Sequence, residues 1–169
     1  MSAEIQIQIS GDAQAVVDRI ADKPGLLSAM AKALDLQNEY TIGYIQQKKL
    51  SGPTSPDSLS VRTGLLRRSI RRTDTVITAN GLTSSIGSNV AYAGIHEFGG
   101  TIPAHTIKAT GRALVFLYGG KKVFARSVKH PGMTLPARRF IMGSLEERAD
   151  SYSAALSNAI IGFWQGGKG

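Results

Sequence analysis

Cysteine is absent from this chain of 169 residues, which excludes disulfides, thiolate metal sites and cysteine nucleophiles together and fits assembly in a reducing cytoplasm. Nowhere do about 18 apolar residues run together, as a membrane-spanning helix needs. The first ten residues, MSAEIQIQIS, hold neither the basic stretch nor the apolar core of a signal peptide. Neither a membrane span nor signal-directed export is expected. Acidic residues are scarce in the middle: from Ser58 to Leu145 there are 13 basic residues and two acidic ones, Asp74 and Glu97, while the remainder carries seven basic and 10 acidic. A basic block therefore lies between mildly acidic ends, which points to nucleic acid, an acidic membrane surface or an acidic protein as partner. Aromatic residues, at 7%, are too few around the arginines to form a stacking platform of a known nucleic-acid reading module.

Catalytic signatures are also missing. His96-Glu97 begins the zinc-peptidase pattern H-E-x-x-H, but position 100 is glycine, so two imidazoles cannot share a helix face. His96, His105 and His130 have no metal-ligand spacing; a metal-dependent nuclease or peptidase built on them is the enzyme alternative, and the weaker one. No phosphate-cradling glycine motif occurs, and Gly81-Leu-Thr-Ser-Ser-Ile-Gly87 only superficially resembles a nucleophile elbow. Asp74 and Glu97 are the basic block's sole candidates for an acid and base pair, and a surface charge or salt bridge is the more ordinary use of each. No catalytic, cofactor or metal residues are expected.

The composition, 42% hydrophobic and 19% charged, is that of a folded globular domain, and one domain over 1–169 is the expectation. Glu4–Ile9 alternates as a half-buried strand, and Gly11-Asp12 opens a short helix to about Ala21 that Pro24 ends. From Leu26 to about Lys49 apolar or small residues recur at helical spacing, and Ser51-Gly-Pro-Thr-Ser-Pro-Asp57 stops that long helix. Arg62–Arg72 reads as a short helix with Thr63 as its cap, Leu66 and Ile70 one turn apart and Arg67, Arg68, Arg71 and Arg72 on the other side. Thr75–Thr78 and Leu82–Ile86 flank Ala79-Asn80-Gly81 as a hairpin. Val90–Phe98 fits helix or strand equally.

Arg112–Tyr118 and Lys121–Val128 flank Gly119-Gly120 as a second hairpin, long enough to project, with Leu114, Phe116, Val123 and Phe124 exposed unless a neighbour covers them. Ser144 and Glu147 form a capping box opening a final helix, which Gly166-Gly167 closes. The fold class is thus α+β: an antiparallel sheet of hairpins packed by the long helix and the C-terminal helix. Residues 1–25 form an N-terminal strand and short helix, 26–165 the core, and 112–128 a projecting hairpin. The arginine cluster of Arg62, Arg67, Arg68, Arg71 and Arg72, with Lys121, Lys122, Leu114, Phe116 and Phe124 of the hairpin, are the candidate partner-binding residues.

Three segments carry a family likeness: Thr63-Gly-Leu-Leu-Arg-Arg-Ser-Ile70, Val90-Ala-Tyr-Ala-Gly-Ile-His-Glu-Phe-Gly-Gly100 and Pro136-Ala-Arg-Arg-Phe-Ile141 before the last helix. In this order they resemble the T-G-x-L-x-x-S, Y-A-x-x-x-E-x-G and A-R-P-F segments of the tail-completion proteins of tailed bacteriophages. The second hairpin and His130-Pro131-Gly132 look most like the virion morphogenesis proteins of the Mu-like phages. The likeness covers about residues 26–165 and departs at Arg139, where the family often has proline. It implies a non-enzymatic structural protein at the head-tail joint, assembled in the host cytoplasm. Its partners would be copies of itself in a six-fold ring and neighbouring neck and tail proteins, close to phage DNA and away from membranes. No cofactor is implied, and a basic nucleic-acid-binding protein is the alternative.

Overall fold

A computed structural model describes residues 18, 21–78 and 81–166. The expected strand at Glu4–Ile9 and the turn at Gly11-Asp12 lie outside the described residues, as do Ala79-Asn80 and Gly167; of the short first helix only Asp18 and Ala21 are described, both helical.

The long helix α1 (Lys23–Tyr44) starts earlier than its apolar period does: the Asp22 carboxylate accepts the Gly25 N–H at 2.9 Å and Pro24 sits in the first turn. Proline there forfeits no helical hydrogen bond. A single wide π turn, Ile45–Lys49, extends the helix before the glycine and proline loop. After the loop come α2 (Leu65–Ser69) and the strands β1 (Ile70–Arg72), β2 (Val76–Thr78), β3 (Gly81–Thr83) and β4 (Ile86–Ser88). Helix α3 (Ala93–Phe98) resolves the ambiguous Val90–Phe98 stretch as helix, and Gly99 ends it at φ +72°. Strands β5 (Gly100–Ile102), β6 (His105–Lys108), β7 (Leu114–Tyr118), β8 (Lys121–Ala125), β9 (Ser127–His130) and β10 (Met133–Leu135) precede α4 (Met142–Glu147) and α5 (Ala149–Trp164).

The architecture is α+β, with α1 packed chiefly against α5. Instead of one sheet formed by two hairpins there are five two-stranded antiparallel ladders: β1 with β4, β2 with β3, β5 with β10, β6 with β9, and β7 with β8. They nest into two ribbons. In residues 70–88, β1–β4 continues into β2–β3 with one extra residue on the outgoing strand. Residues 100–135 form the second.

The buried core is compact: Ile42, Ile45, Leu50, Ile70, Ala93 and Phe140, with Leu59, Leu66, Ile86, Val90 and Ile141 packed against it. It gathers the C-terminal half of α1 and all three segments of the family likeness.

Several local expectations change. The Arg62–Arg72 helix stops at Ser69, because Ile70 pairs with Ser88 and Arg72 with Ile86. Its N-cap is Gly64 in the left-handed conformation, while Thr63 Oγ1 accepts the Leu65 N–H at 3.3 Å. The S-x-x-E box does not cap: Ser144 lies inside α4 and donates to the Phe140 carbonyl, and Glu147 reaches α1. The carboxylate that caps α4 comes from Glu97, far away in sequence.

Candidate functional site

The second ribbon is the most distinctive surface. From Gly100↔Leu135 through His105↔His130 to Lys108↔Ser127 one register is kept across a gap in the pairing at 103–104 and 131–132, and the Ala109 N–H still donates to Arg126 O at 2.9 Å. Residues 110–113 then loop out unmatched, and pairing resumes at Leu114↔Ala125 and runs to Tyr118↔Lys121. The expected hairpin at 112–128 is thus the outer part of a longer arm with an elbow at 110–113. The tip residues Gly119 and Gly120 both have positive φ, +56° and +76°, the requirement of a type I′ turn, whose twist matches paired strands.

Alternation in the outer ladder sorts the side chains by face. Leu114, Phe116 and Tyr118 share one face with Lys121, Val123 and Ala125, while Val115 and Leu117 share the other with Lys122 and Phe124. Of the four apolar residues expected on the projection, Leu114, Phe116 and Val123 share a face and Phe124 lies on the other. The face of Val115, Leu117 and Phe124 is apolar and wet, with Leu117 72% and Phe124 68% exposed; on the other face Phe116 and Tyr118 are exposed, but Leu114 and Val123, expected to be exposed, are half-buried against the ribbon's own residues. Among the described residues, no helix or other strand packs substantially on the outer ladder.

At the base of the arm the three segments meet. Glu97, 4% exposed, accepts the backbone N–H groups of Ile141 at 2.9 Å and Met142 at 2.8 Å. Its charge faces the positive end of α4, a favourable place for a buried carboxylate. The Arg138 and Arg139 N–H groups donate to the carbonyls of His96 and Glu97. A side chain at Gly99 would meet Ala137 N at 2.7 Å and Leu135 O at 2.9 Å, so glycine is required there for contact as well as for φ. Arg139 has φ +40°, which proline cannot adopt. Its N–H is also in use, bonded to the Glu97 carbonyl, so proline is excluded at this position on two counts.

The arginines of 62–72 divide. Arg72 is half-buried and held by Glu39 at 2.7 Å, Asp74 at 2.9 Å and Asp35 at 3.1 Å; it is an internal tie. Arg67 donates to Ser51 Oγ at 2.9 Å, and Arg68 to Thr63 O at 3.4 Å. Arg62 and Arg71 are exposed. Arg62 and Arg67 rim an open cleft of about 430 Å³ with an apolar floor of Leu50, Leu59 and Leu66 and a wall of Tyr92 and His96. Burial, then the charge of Arg138, holds His96 below the ordinary histidine range, and its Nδ1 is buried without a partner.

His105 and His130 stack at the inner part of the arm, ring centroids 5.0 Å apart, with Nδ1 of the first near Pro103 O and Nδ1 of the second accepting the Gly132 N–H. Among the described residues, no group of three or more His, Cys, Asp or Glu is placed to hold a metal ion, and no helix is long and apolar enough to cross a membrane.

Sequence reading missed the polar clamp between α1 and the C-terminal helices. Lys49, 5% exposed, bridges Asp57 at 2.8 Å and Glu147 at 2.7 Å, and Tyr44 donates to Glu147 at 2.7 Å. Burial pulls Lys49 down, but the hydrogen bonds it donates to the two carboxylates prevail and hold it above the usual lysine range. Bonds from Lys49 and Ser55 lower Asp57 to about 2, and bonds from Lys49 and Tyr44 hold Glu147 below the usual carboxylate range. A lysine beside an amphipathic period signals a solvated face, so nothing in the sequence marks it as buried. The inner ladders were also missed, though T-I-K at 106–108 and S-V-K at 127–129 alternate as strands do. Compared with known proteins, the chain matches no family model, no curated protein and no solved structure.

Proposed function

We propose that this chain is a non-enzymatic structural subunit of a tailed-phage particle, acting at the head-tail joint as one member of a ring of identical copies. The phage assignment comes from the three ordered segments, which gather around one core here, as parts of a single structural unit would. The observation that carries the assembly role is the arm: a two-stranded projection with apolar side chains on both pleat faces, Leu117, Tyr118 and Phe124 largely exposed, and no helix or other strand among the described residues packed substantially on it. An isolated hairpin is marginal in water, and a second copy is the occupant that a symmetric ring supplies to every arm at once. Each apolar side chain covered contributes about 1.5–3 kcal/mol, so burying several offsets the lower range of association costs, about 4–15 kcal/mol. Six-fold symmetry and the neck and tail neighbours follow from the family likeness alone.

Deleting the gene from the phage and imaging the particles tests the reading. Filled heads with separate or malformed tails are expected, and normal infectious virions without the protein would sink it.

A further inference from the structure

We propose that the elbow of the arm is a contact site for the phosphate backbone of duplex DNA, formed by Lys108, Arg112, Arg126 and Lys129. This does not depend on the ring reading. Residues 100–135 hold six Lys and Arg and no Asp or Glu. All six are exposed, and no ion pair among the described residues reaches any of them. Their field is therefore not offset within the arm. The arginine cluster at 62–72 is the poorer candidate, since Arg72 is neutralised by Asp35, Glu39 and Asp74 and Arg67 and Arg68 already donate within the chain.

Geometry concentrates four of the six charges at the elbow. Thr106↔Lys129 and Lys108↔Ser127 place the two lysines on one pleat face of the inner ladder, two pairs apart on the diagonal, and the Ala109 bond to Arg126 puts Arg126 on the other face, so the cations flank the ribbon on both sides at the elbow. The unmatched residues 110–113 open a hollow bounded by Ala109, Gly111, Arg112 and Arg126, of about 650 Å³. Two guanidiniums beside such a hollow suit phosphate oxygens, which they bind through paired N–H donors. A two-stranded ribbon also fits the major groove of B-form DNA, whereas the major groove of A-form RNA is too narrow to admit one. Contacts of this kind position without reading bases, so binding is indifferent to sequence.

Fluorescence anisotropy of a labelled short blunt duplex, titrated with the full chain over a series of salt concentrations, tests the site. Four phosphate contacts predict a slope of log affinity against log salt of about −3 to −4. Arg112→Ala with Arg126→Ala is expected to lower affinity at least about tenfold at low salt and to shrink the slope by about two. Arg68→Ala with Arg71→Ala should leave both nearly unchanged. Thermal melting by circular dichroism checks that each variant is folded; if the Arg112 and Arg126 pair melts early, Lys108→Gln with Lys129→Gln replaces it with the same expectation. Absence of duplex binding, loss confined to the Arg68 and Arg71 variant, or equal affinity for polyglutamate or phosphatidylserine vesicles would each overturn the proposal.

Discussion

The carboxylate of Glu97 accepts the backbone N–H of Ile141 at 2.9 Å and thereby joins the end of α3 to the start of α4. Glu97 is buried and the two bonds it accepts are partly buried, so removing the acceptor strands two N–H groups with reduced access to water. Glu97→Ala should destabilise the fold by about 2–4 kcal/mol, two charge-assisted bonds being lost. Glu97→Gln keeps one acceptor oxygen and should fall between. Urea midpoints of the three proteins check the order, and a midpoint for Glu97→Ala equal to wild type would remove Glu97 from that role.

Arg139 makes a sharper prediction because its φ of +40° favours glycine and excludes proline. Arg139→Gly should be neutral or mildly stabilising, even though it loses the ion pair with Glu146, since an exposed pair of this kind contributes about 0–1 kcal/mol. Arg139→Pro should cost about 3 kcal/mol or more, losing both the backbone angle and the bond to Glu97 O. Thermal melts of the two variants decide, and equal melting points would show that the turn is not constrained.

Much of the fold was legible because its signals are local. The period of Leu27, Met30, Ala31 and Leu34 marks α1, and Gly119-Gly120 between β-formers marks the tip. What failed was information held across distance. Ser144 and Glu147 have the spacing of a capping box, yet Glu97 outcompetes that box by arriving from α3, and Lys49 then claims Glu147. Arg72 looks like its neighbours in sequence, and only the fold brings Asp35 and Glu39 to it. Gln37 and Asn38 are buried in α1 although the apolar period does not mark them; Tyr152 and Ser84 supply Asn38 with partners from across the fold, while Gln37 Nε2 has none. The candidate interface was half visible: the exposed tip could be read, but its continuation through β5, β6, β9 and β10 needed the register.

The Lys49 clamp should make stability depend on acid. Asp57 and Glu147 have folded values below their unfolded ones, so their stabilisation is complete above the ordinary carboxylate range and is lost as pH falls through the folded values. Melting temperature should therefore drop as pH falls from about 4 toward about 2. In Lys49→Met the two carboxylates lose their main cause of depression, and the acid limb should flatten while stability at neutral pH declines. Melting curves at stepped pH check this; parallel acid limbs for the two proteins would show that the clamp does not set the dependence.

Shortening the arm separates folding from assembly. Ala109 and Arg126 are still bonded in the inner register, so an Asn-Gly turn replacing residues 110–125 closes the inner ladder with a favoured two-residue connection. The outer ladder packs chiefly on itself, and the core residues Ile42, Ile45, Ile70 and Phe140 lie outside it. The shortened chain should melt within about 4 °C of wild type, equivalent to roughly 1 kcal/mol at this size. Self-association, followed by sedimentation over a concentration series, should be lost, because both apolar faces are gone. Phe116→Ser and Phe124→Ser, on opposite faces, refine the result: weakening by both means that a neighbour grips the arm from two sides, and weakening by one names the side. Association unchanged by the shortening would remove the arm from the interface.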